Sequence, residues 1–333
     1  LGLLTHTFFT RPLGEPRHEP NELRKLPIEE KESYRWLEAL DQTLALTPDE
    51  VSVLTVCDAE ADIYDLFVRA DDREAALLVR ASADRRLAEA EVQKLWAKVE
   101  QQPIAGHKTV HIIGNQQRQA RKATIAVRFT TVHLKPPWRP KGRKLPPITM
   151  RAVLVREEDP PADVDDPLEW LLLINQPVAG FTAAQQVIAW YCRRPQIEVY
   201  HQVLKSGCRV EAARLRTAAR LQNYIALMCV VAWRLHWLTY INRAVPDAPC
   251  TRVLSTAEWQ ALYMRTHRTT TLPAAPPTVH QAVRWIAQLG GFLGRRSDGE
   301  PGITTIWRGW QRLQDIALTW DLVKDQSPHV GNR

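Results

Sequence analysis

Four side chains in the second half of the chain, Tyr191, Arg194, Glu198 and Lys205, are separated by three, four and seven residues. On one continuous α-helix, turning about 100° per residue, they fall at about 0°, 300°, 340° and 320°, inside a sector about 60° wide. A carboxylate set among a guanidinium, an ammonium and a phenol suits a phosphodiester site: the acid holds a divalent metal and the cations steady phosphate oxygens. Gln202 lies near the same face and His201 just beyond it. The stripe also reads as a solvated helix face stitched by ion pairs, and spacing alone does not choose.

A second acid bears on that choice. Asp58 follows residues 51–57, a β-branched and nearly all apolar run expected to be a buried strand. Open α/β sheets place their sites at the carboxyl ends of such strands. Asp58 and Glu198 would together offer hard, oxygen-rich ligation suited to Mg2+ or Mn2+. The competing reading of Asp58 is a turn or N-cap residue. Glu60 and Asp62 are nearby alternatives, expected instead to satisfy backbone donors early in a helix.

These residues need elements to hold them. Residues 1–9 read as a strand, 28–46 as a helix, 63–70 as a short helix and 75–80 as a second buried strand, which makes an α/β start. Between about 106 and 175, short β-like runs at 109–113, 123–129, 149–155 and 169–174 suggest a small antiparallel sheet inserted in that core. From 181 onward the chain reads as helical. Thr182 and Gln185 form a capping-box pattern opening a helix expected to run to about Lys205, and further boxes begin at Ser255 and Thr278. Residues 218–238 are a second, very apolar helix. The longest wholly apolar run, 226–233, is shorter than a bilayer span needs.

Charge is uneven. The chain has 333 residues, 44 Lys plus Arg against 37 Asp plus Glu, and a net charge of +7. Residues 101–156 contain no acid but hold 12 Lys and Arg, including the loop 135–144 with Pro136, Pro137 and Trp138. Such a segment is the footprint of a polyanion partner, nucleic acid first. Five Cys, none in a CxxC pair, exclude a zinc ribbon or a thioredoxin-type site, and their odd number suits reduced thiols in a cytoplasm. The chain does not begin with Met, and its true start is expected to be missing.

The pattern Tyr191-x2-Arg194-x3-Glu198-x6-Lys205 resembles the Tyr-Arg-Glu-Lys signature of a family of bacterial insertion-sequence transposases. These are cut-and-paste, hairpin-forming enzymes with an Asp-Asp-Glu triad on a ribonuclease-H-like fold. Other segments are similar in the same order: Cys57 to Ile63 around the second catalytic Asp, Glu30 to Ser33 with Trp36, Glu169 to Pro177, Leu289-Gly-Gly-Phe292, and Trp307-Arg-Gly-Trp310.

The resemblance implies an α/β, ribonuclease-H-like catalytic core, truncated at its amino terminus. It would comprise residues 1–84, an inserted antiparallel β-subdomain at 85–178, core helices with the signature at 179–245, and a helical dimerisation region at 246–333. It implies that Asp58 and Glu198 bind the metal. Tyr191, Arg194 and Lys205 would contact phosphates of the transposon end, Arg80 would contact DNA beside a flipped nucleotide, and Trp170 would receive the flipped base. An indole face stacks on any base, although an aromatic packed in a sheet accounts for Trp170 equally simply. Implied partners are transposon ends, target DNA and a second copy of the chain in a bacterial cytoplasm, with no membrane. Trp285, Trp307 and Trp310 could anchor the dimer, although burial in the chain's own core accounts for most of them more simply.

Two departures stand out. Gln202 and Pro195 occupy positions where a relative has Lys and Trp. The family's first catalytic Asp precedes the segment resembling residues 1–12, so these 333 residues alone are not expected to cut DNA. A non-catalytic partner that pairs with an intact transposase and inhibits it is the alternative reading. A metal-dependent nuclease unrelated to transposition is a third.

Overall fold

Residues 76–80, 148–158 and 169–174 are apolar at most positions because the strands they form carry a packed layer on both faces. The structure, a computed structural model, describes residues 2–8, 26–89, 94–112, 120–138, 144–162, 164–295 and 297–325. It divides into two units, each described by itself: Phe9–Pro195, and Gln196–Arg333 with Leu1–Phe8.

The first unit runs α1 (Arg35–Leu46), β1 (Leu54–Cys57), α2 (Tyr64–Asp72), β2 (Ala76–Arg80), α3 (Leu95–Glu100), β3 (Gly106–Ile112), β4 (Arg121–Leu134), β5 (Ile148–Glu158), β6 (Glu169–Ile174) and α4 (Phe181–Tyr191). Its sheet has the order β1-β2-β6-β5-β4-β3. β1 and β2 are parallel, with Cys57 opposite Val79. β6 returns antiparallel to β2, with Arg80 opposite Leu172. The antiparallel strands therefore do not form the small separate sheet expected from sequence; through β6 they continue the α/β sheet.

Side-chain alternation sorts the two faces. Leu77, Val79, Leu154, Leu171 and Leu173 join Leu37, Leu40, Phe67 and Leu95 of α1, α2 and α3 in one core. Leu78, Val153, Val155, Leu172 and Ile174 join Ala184, Val187 and Ile188 of α4 in the other.

Three cations of residues 101–156, Arg121, Arg128 and Arg156, are engaged internally. Arg121 grips the buried Glu157 with two hydrogen bonds, one of 2.8 Å. That guanidinium, helped by the Leu168 N–H, holds the Glu157 carboxyl below its usual range. Arg156 pairs with Glu100 and Glu169, and Arg128 donates to the Gln102 carbonyl at 3.1 Å. Arg118, Arg139, Lys141 and Arg143 lie outside the described residues.

Two sequence expectations give way. Residues 2–8 form no strand, having no ladder partner among the described residues; Leu1 and Phe9 lie outside them, as does most of the Pro-rich loop at 11–27. The helix after residue 181 does not run to Lys205. It starts one residue before Thr182, behind Gly180, and the Phe181 ring packs where a Cβ on Gly106 would stand, 2.8 Å away. It stops at Tyr191. Pro195 has no N–H for the Tyr191 carbonyl four residues back, and its ring crowds that position. The Arg194 N–H takes the carbonyl instead, at 3.0 Å.

The second unit is helical: α5 (Gln196–Gln202), a π turn (Val203–Gly207), α6 (Ala218–Ala244), α7 (Thr256–His267), α8 (Val279–Leu289) and α9 (Ile303–Asp325). By length and composition α6 could cross a bilayer, beyond what its wholly apolar run suggested. Its Cys229, Ala232, Leu235, Leu238 and Ile241 lie in the core of this unit. The boxes at Ser255 and Thr278 both form, each cap accepting from the third residue on and receiving its side chain in return. Glu258 also accepts both Arg234 bonds (3.0 and 3.1 Å) and one from Gln314 (2.8 Å), tying α6, α7 and α9 together. Trp310 is buried beneath the Arg234 guanidinium, and Trp285 and Trp307 pack against the same core.

The α8–α9 crossing explains two of the sequence motifs. Phe292 N–H bonds to Ala287 O (2.9 Å) and Gly291 N–H to Gln288 O (3.0 Å), the paired bonds of a Schellman cap. Gly291 sits at φ +100°, where a side chain is strained. Gly290 and Gly309 bring two backbones into contact. A Cβ on Gly309 would lie 1.7 Å from the Ile286 carbonyl oxygen, and one on Gly290 would lie 1.9 Å from that of Thr305.

Candidate functional site

Asp58 leaves β1 at its carboxyl end, where the parallel neighbour β2 ends in Arg80. Its Oδ1 accepts the Glu60 N–H at 3.0 Å, so Asp58 caps the short 3-10 turn Ala59–Ala61 as the competing reading held. Its other oxygen, Oδ2, forms an ion pair with Arg194, just past α4. Both side chains stay partly open to solvent, 25% for Asp58 and 21% for Arg194. Burial pushes the Cys57 thiol up to about 12, reinforced by the charge of Asp58, so Cys57 is a core thiol and not a nucleophile.

Tyr191 ends α4 beside this pair. Its phenol is raised by burial and pulled the other way by the guanidiniums of Arg80 and Arg194. Trp170 meets it edge to face, ring centres 5.1 Å apart, and Arg80 reaches the Glu169 carbonyl at 3.4 Å. Five of the residues singled out from sequence, Asp58, Arg80, Trp170, Tyr191 and Arg194, thus share one end of this sheet. They come from β1, β2, β6 and α4. One carboxylate beside two guanidiniums, a phenol and an indole can hold a phosphate and face a base.

Glu198 and Lys205 belong to the helical unit. Glu198 is exposed on α5, and Lys205 lies in the π turn, 3.7 Å from Glu211. The turn and the break at Pro195 remove the continuous helix on which the angular argument for all four signature residues rested. Among the described residues no group of three or more His, Cys, Asp and Glu side chains gathers to hold a metal. Asp58 offers one hard oxygen donor that fits Mg2+ or Mn2+, and that oxygen is now engaged by Arg194.

From sequence, Asp62 is expected to satisfy backbone donors early in a helix. It instead holds a loop 20 residues on. Its wholly buried carboxylate accepts from Ser82 N–H (2.8 Å), Ala83 N–H (2.9 Å), the Ser82 hydroxyl (3.2 Å) and Arg85 Nε (2.7 Å). This fixes the chain as it leaves Arg80. Glu60 is exposed and pairs with Arg35 at 3.2 Å. Trp138, in the basic, Pro-rich loop, is 85% exposed.

Residues 230–324 match the Tn5 transposase dimerisation domain. The match spans the second half of α6, all of α7 and α8, and α9 short of its last residue. It supports a Tn5-type transposase family member and a transposase-family role, and it supports homodimer formation.

Proposed function

We propose that the chain is a DNA transposase of the Asp-Asp-Glu type, acting on phosphodiesters at transposon ends. The observation that carries the reading is the convergence of Asp58, Arg80, Tyr191, Arg194 and Trp170 at one end of the sheet, in a chain whose carboxyl-terminal part matches a transposase dimerisation domain. In this reading Asp58 and Glu198 hold Mg2+ or Mn2+, with Glu198 brought from the helical unit. The ions would activate water or a 3′-hydroxyl and stabilise the leaving oxygen.

The chain's own residues do the positioning. Arg194 neutralises Asp58 when no DNA is bound, and a backbone phosphate offers it a charge-assisted alternative. Arg80 and Tyr191 steady the neighbouring phosphate, Lys205 adds a further cation, and Trp170 supplies a face for an extruded base. Trp138 and the solvent-facing Lys122, Lys135 and Lys144 extend the contact along the duplex.

The test is excision of a marked transposon from a donor plasmid, by the protein translated from the reading frame that contains these residues. Asp58→Asn and Glu198→Gln are each expected to lower excision at least 1000-fold while leaving the circular dichroism spectrum unchanged, roughly the loss when a group essential to the chemical step is removed. Excision within tenfold of the parent in either variant would overturn the assignment.

A further inference from the structure

Within the helical unit, the carboxyl ends of α7 and α8 meet the middle of α9 around a mostly polar cavity of about 550 Å3. Three guanidiniums line it, Arg265 and Arg268 from the end of α7 and its cap and Arg312 from α9, with Thr266, Gln288 and a single acid, Asp315. All three arginines are exposed, so their donors can be reached from solvent. Arg312 donates to the Leu289 carbonyl and so caps α8. The side chains of Arg265, Arg268 and Asp315 make no hydrogen bond or ion pair among the described residues.

A helix dipole favours cations at the carboxyl end, and that alone would account for an Arg in the last turn of α7. It does not account for the backbone at Arg268. This residue sits at φ +51° and ψ +44°, the left-handed position after α7 that helices commonly give to Gly. A side chain there is strained, so the guanidinium stands in the cavity wall against a local backbone cost.

The charge balance narrows what fits. Three guanidiniums against one carboxylate leave two positive charges, and the two helix ends offset about one of them, at roughly half a charge each. What remains matches a phosphodiester, which carries one negative charge. Guanidiniums bond phosphate oxygens in pairs, and Thr266 and Gln288 can add neutral hydrogen bonds. Contacts of this kind hold a backbone in place and read no base.

We propose that this cavity seats one backbone phosphate of duplex DNA, held by Arg265 and Arg268 with Arg312 adding charge, so that the dimerisation region itself takes part in sequence-independent DNA binding. The proposal rests on the DNA-binding part of the proposed function.

Binding of the full chain to a duplex of about 30 base pairs and arbitrary sequence is measured by fluorescence anisotropy from about 50 to about 200 mM salt. Arg265→Gln and Arg268→Gly are each expected to weaken binding roughly three- to tenfold and to reduce the salt slope by about one. Arg268→Gly should at the same time raise the unfolding temperature of the helical unit, because Gly relieves the left-handed backbone. A purely structural role for Arg268 would not move affinity and stability in opposite directions. Arg252→Gln removes an exposed charge of the same unit outside the cavity and should weaken binding less than about twofold. A parent protein that ignores duplex DNA would overturn this site and the DNA-binding reading together. A parent that binds, with cavity variants no weaker than Arg252→Gln, would overturn this site alone. So would a polyglutamate peptide of equal charge that binds the parent more tightly than the duplex does and loses affinity in the same variants, the mark of an acidic protein partner.

Discussion

Gly309→Ala is expected to melt the helical unit's transition at least 10 °C below the parent. The added Cβ would stand 1.7 Å from the Ile286 carbonyl oxygen and 3.0 Å from the Gly290 nitrogen, both backbone atoms that cannot swing aside as a side chain can. α8 and α9 would have to separate, opening the core around Ile286, Ile306 and Trp310. Overpacking a core costs about 1–3 kcal/mol even where side chains yield. Backbone against backbone belongs at or above the top of that range, and for a unit of this size about 3 kcal/mol corresponds to a shift of that order. Gly302→Ala is the control, because nothing lies within 4 Å of its added Cβ. Calorimetry with sedimentation equilibrium checks both consequences: Gly309→Ala should weaken the dimer as its transition falls, and Gly302→Ala should change neither. A Gly309→Ala protein that melts with the parent would mean that α8 and α9 do not cross at these glycines.

Asp62→Ala is the second large effect. Its carboxylate is wholly buried and receives four hydrogen bonds, two of them from backbone N–H groups of the loop after β2. Removing it strands those donors and leaves Arg85, itself only 14% exposed, without its acid. Removing one partner of a buried charged pair costs about 3–5 kcal/mol. Urea unfolding of the sheet unit should show a loss in that range. Hydrogen exchange at Ser82 and Ala83 should accelerate ahead of the rest of the sheet. Asp62→Asn, which keeps an acceptor but loses the charge, should fall between the two. DNA affinity should drop as well, because Arg80 stands two residues before Ser82. Unchanged protection of both amides in Asp62→Ala would contradict this account of the loop.

The sequence was most legible where local chemistry sufficed. The strand 169–174 was bounded correctly, Asp58 and Arg80 were placed at strand ends, and Ser255 and Thr278 announced their caps by the acceptor three residues on. What failed was periodicity carried past a visible breaker. Pro195 lies within the stripe from Tyr191 to Lys205, and its missing N–H outweighs the spacing on either side. Asp62 was misassigned because its partners arrive by folding and not by helical neighbourhood. The glycines at 290 and 309 can be seen as motif members, but that each must leave room for a backbone carbonyl of the other helix is a tertiary fact. The acid-free basic stretch misled in part, since Arg121 and Arg156 find their acids in Glu157, Glu169 and Glu100, across the strands or on α3.

Fe2+ can occupy a Mg2+ site and, with ascorbate and peroxide, cut the polypeptide beside its ligands. Iron-loaded protein treated in this way should therefore be cut within a few residues of both Asp58 and Glu198, with both cuts suppressed by excess Mg2+ and by either Asp58→Asn or Glu198→Gln. Cutting beside only one of these residues, or beside neither, would contradict a shared cation between the sheet's end and α5.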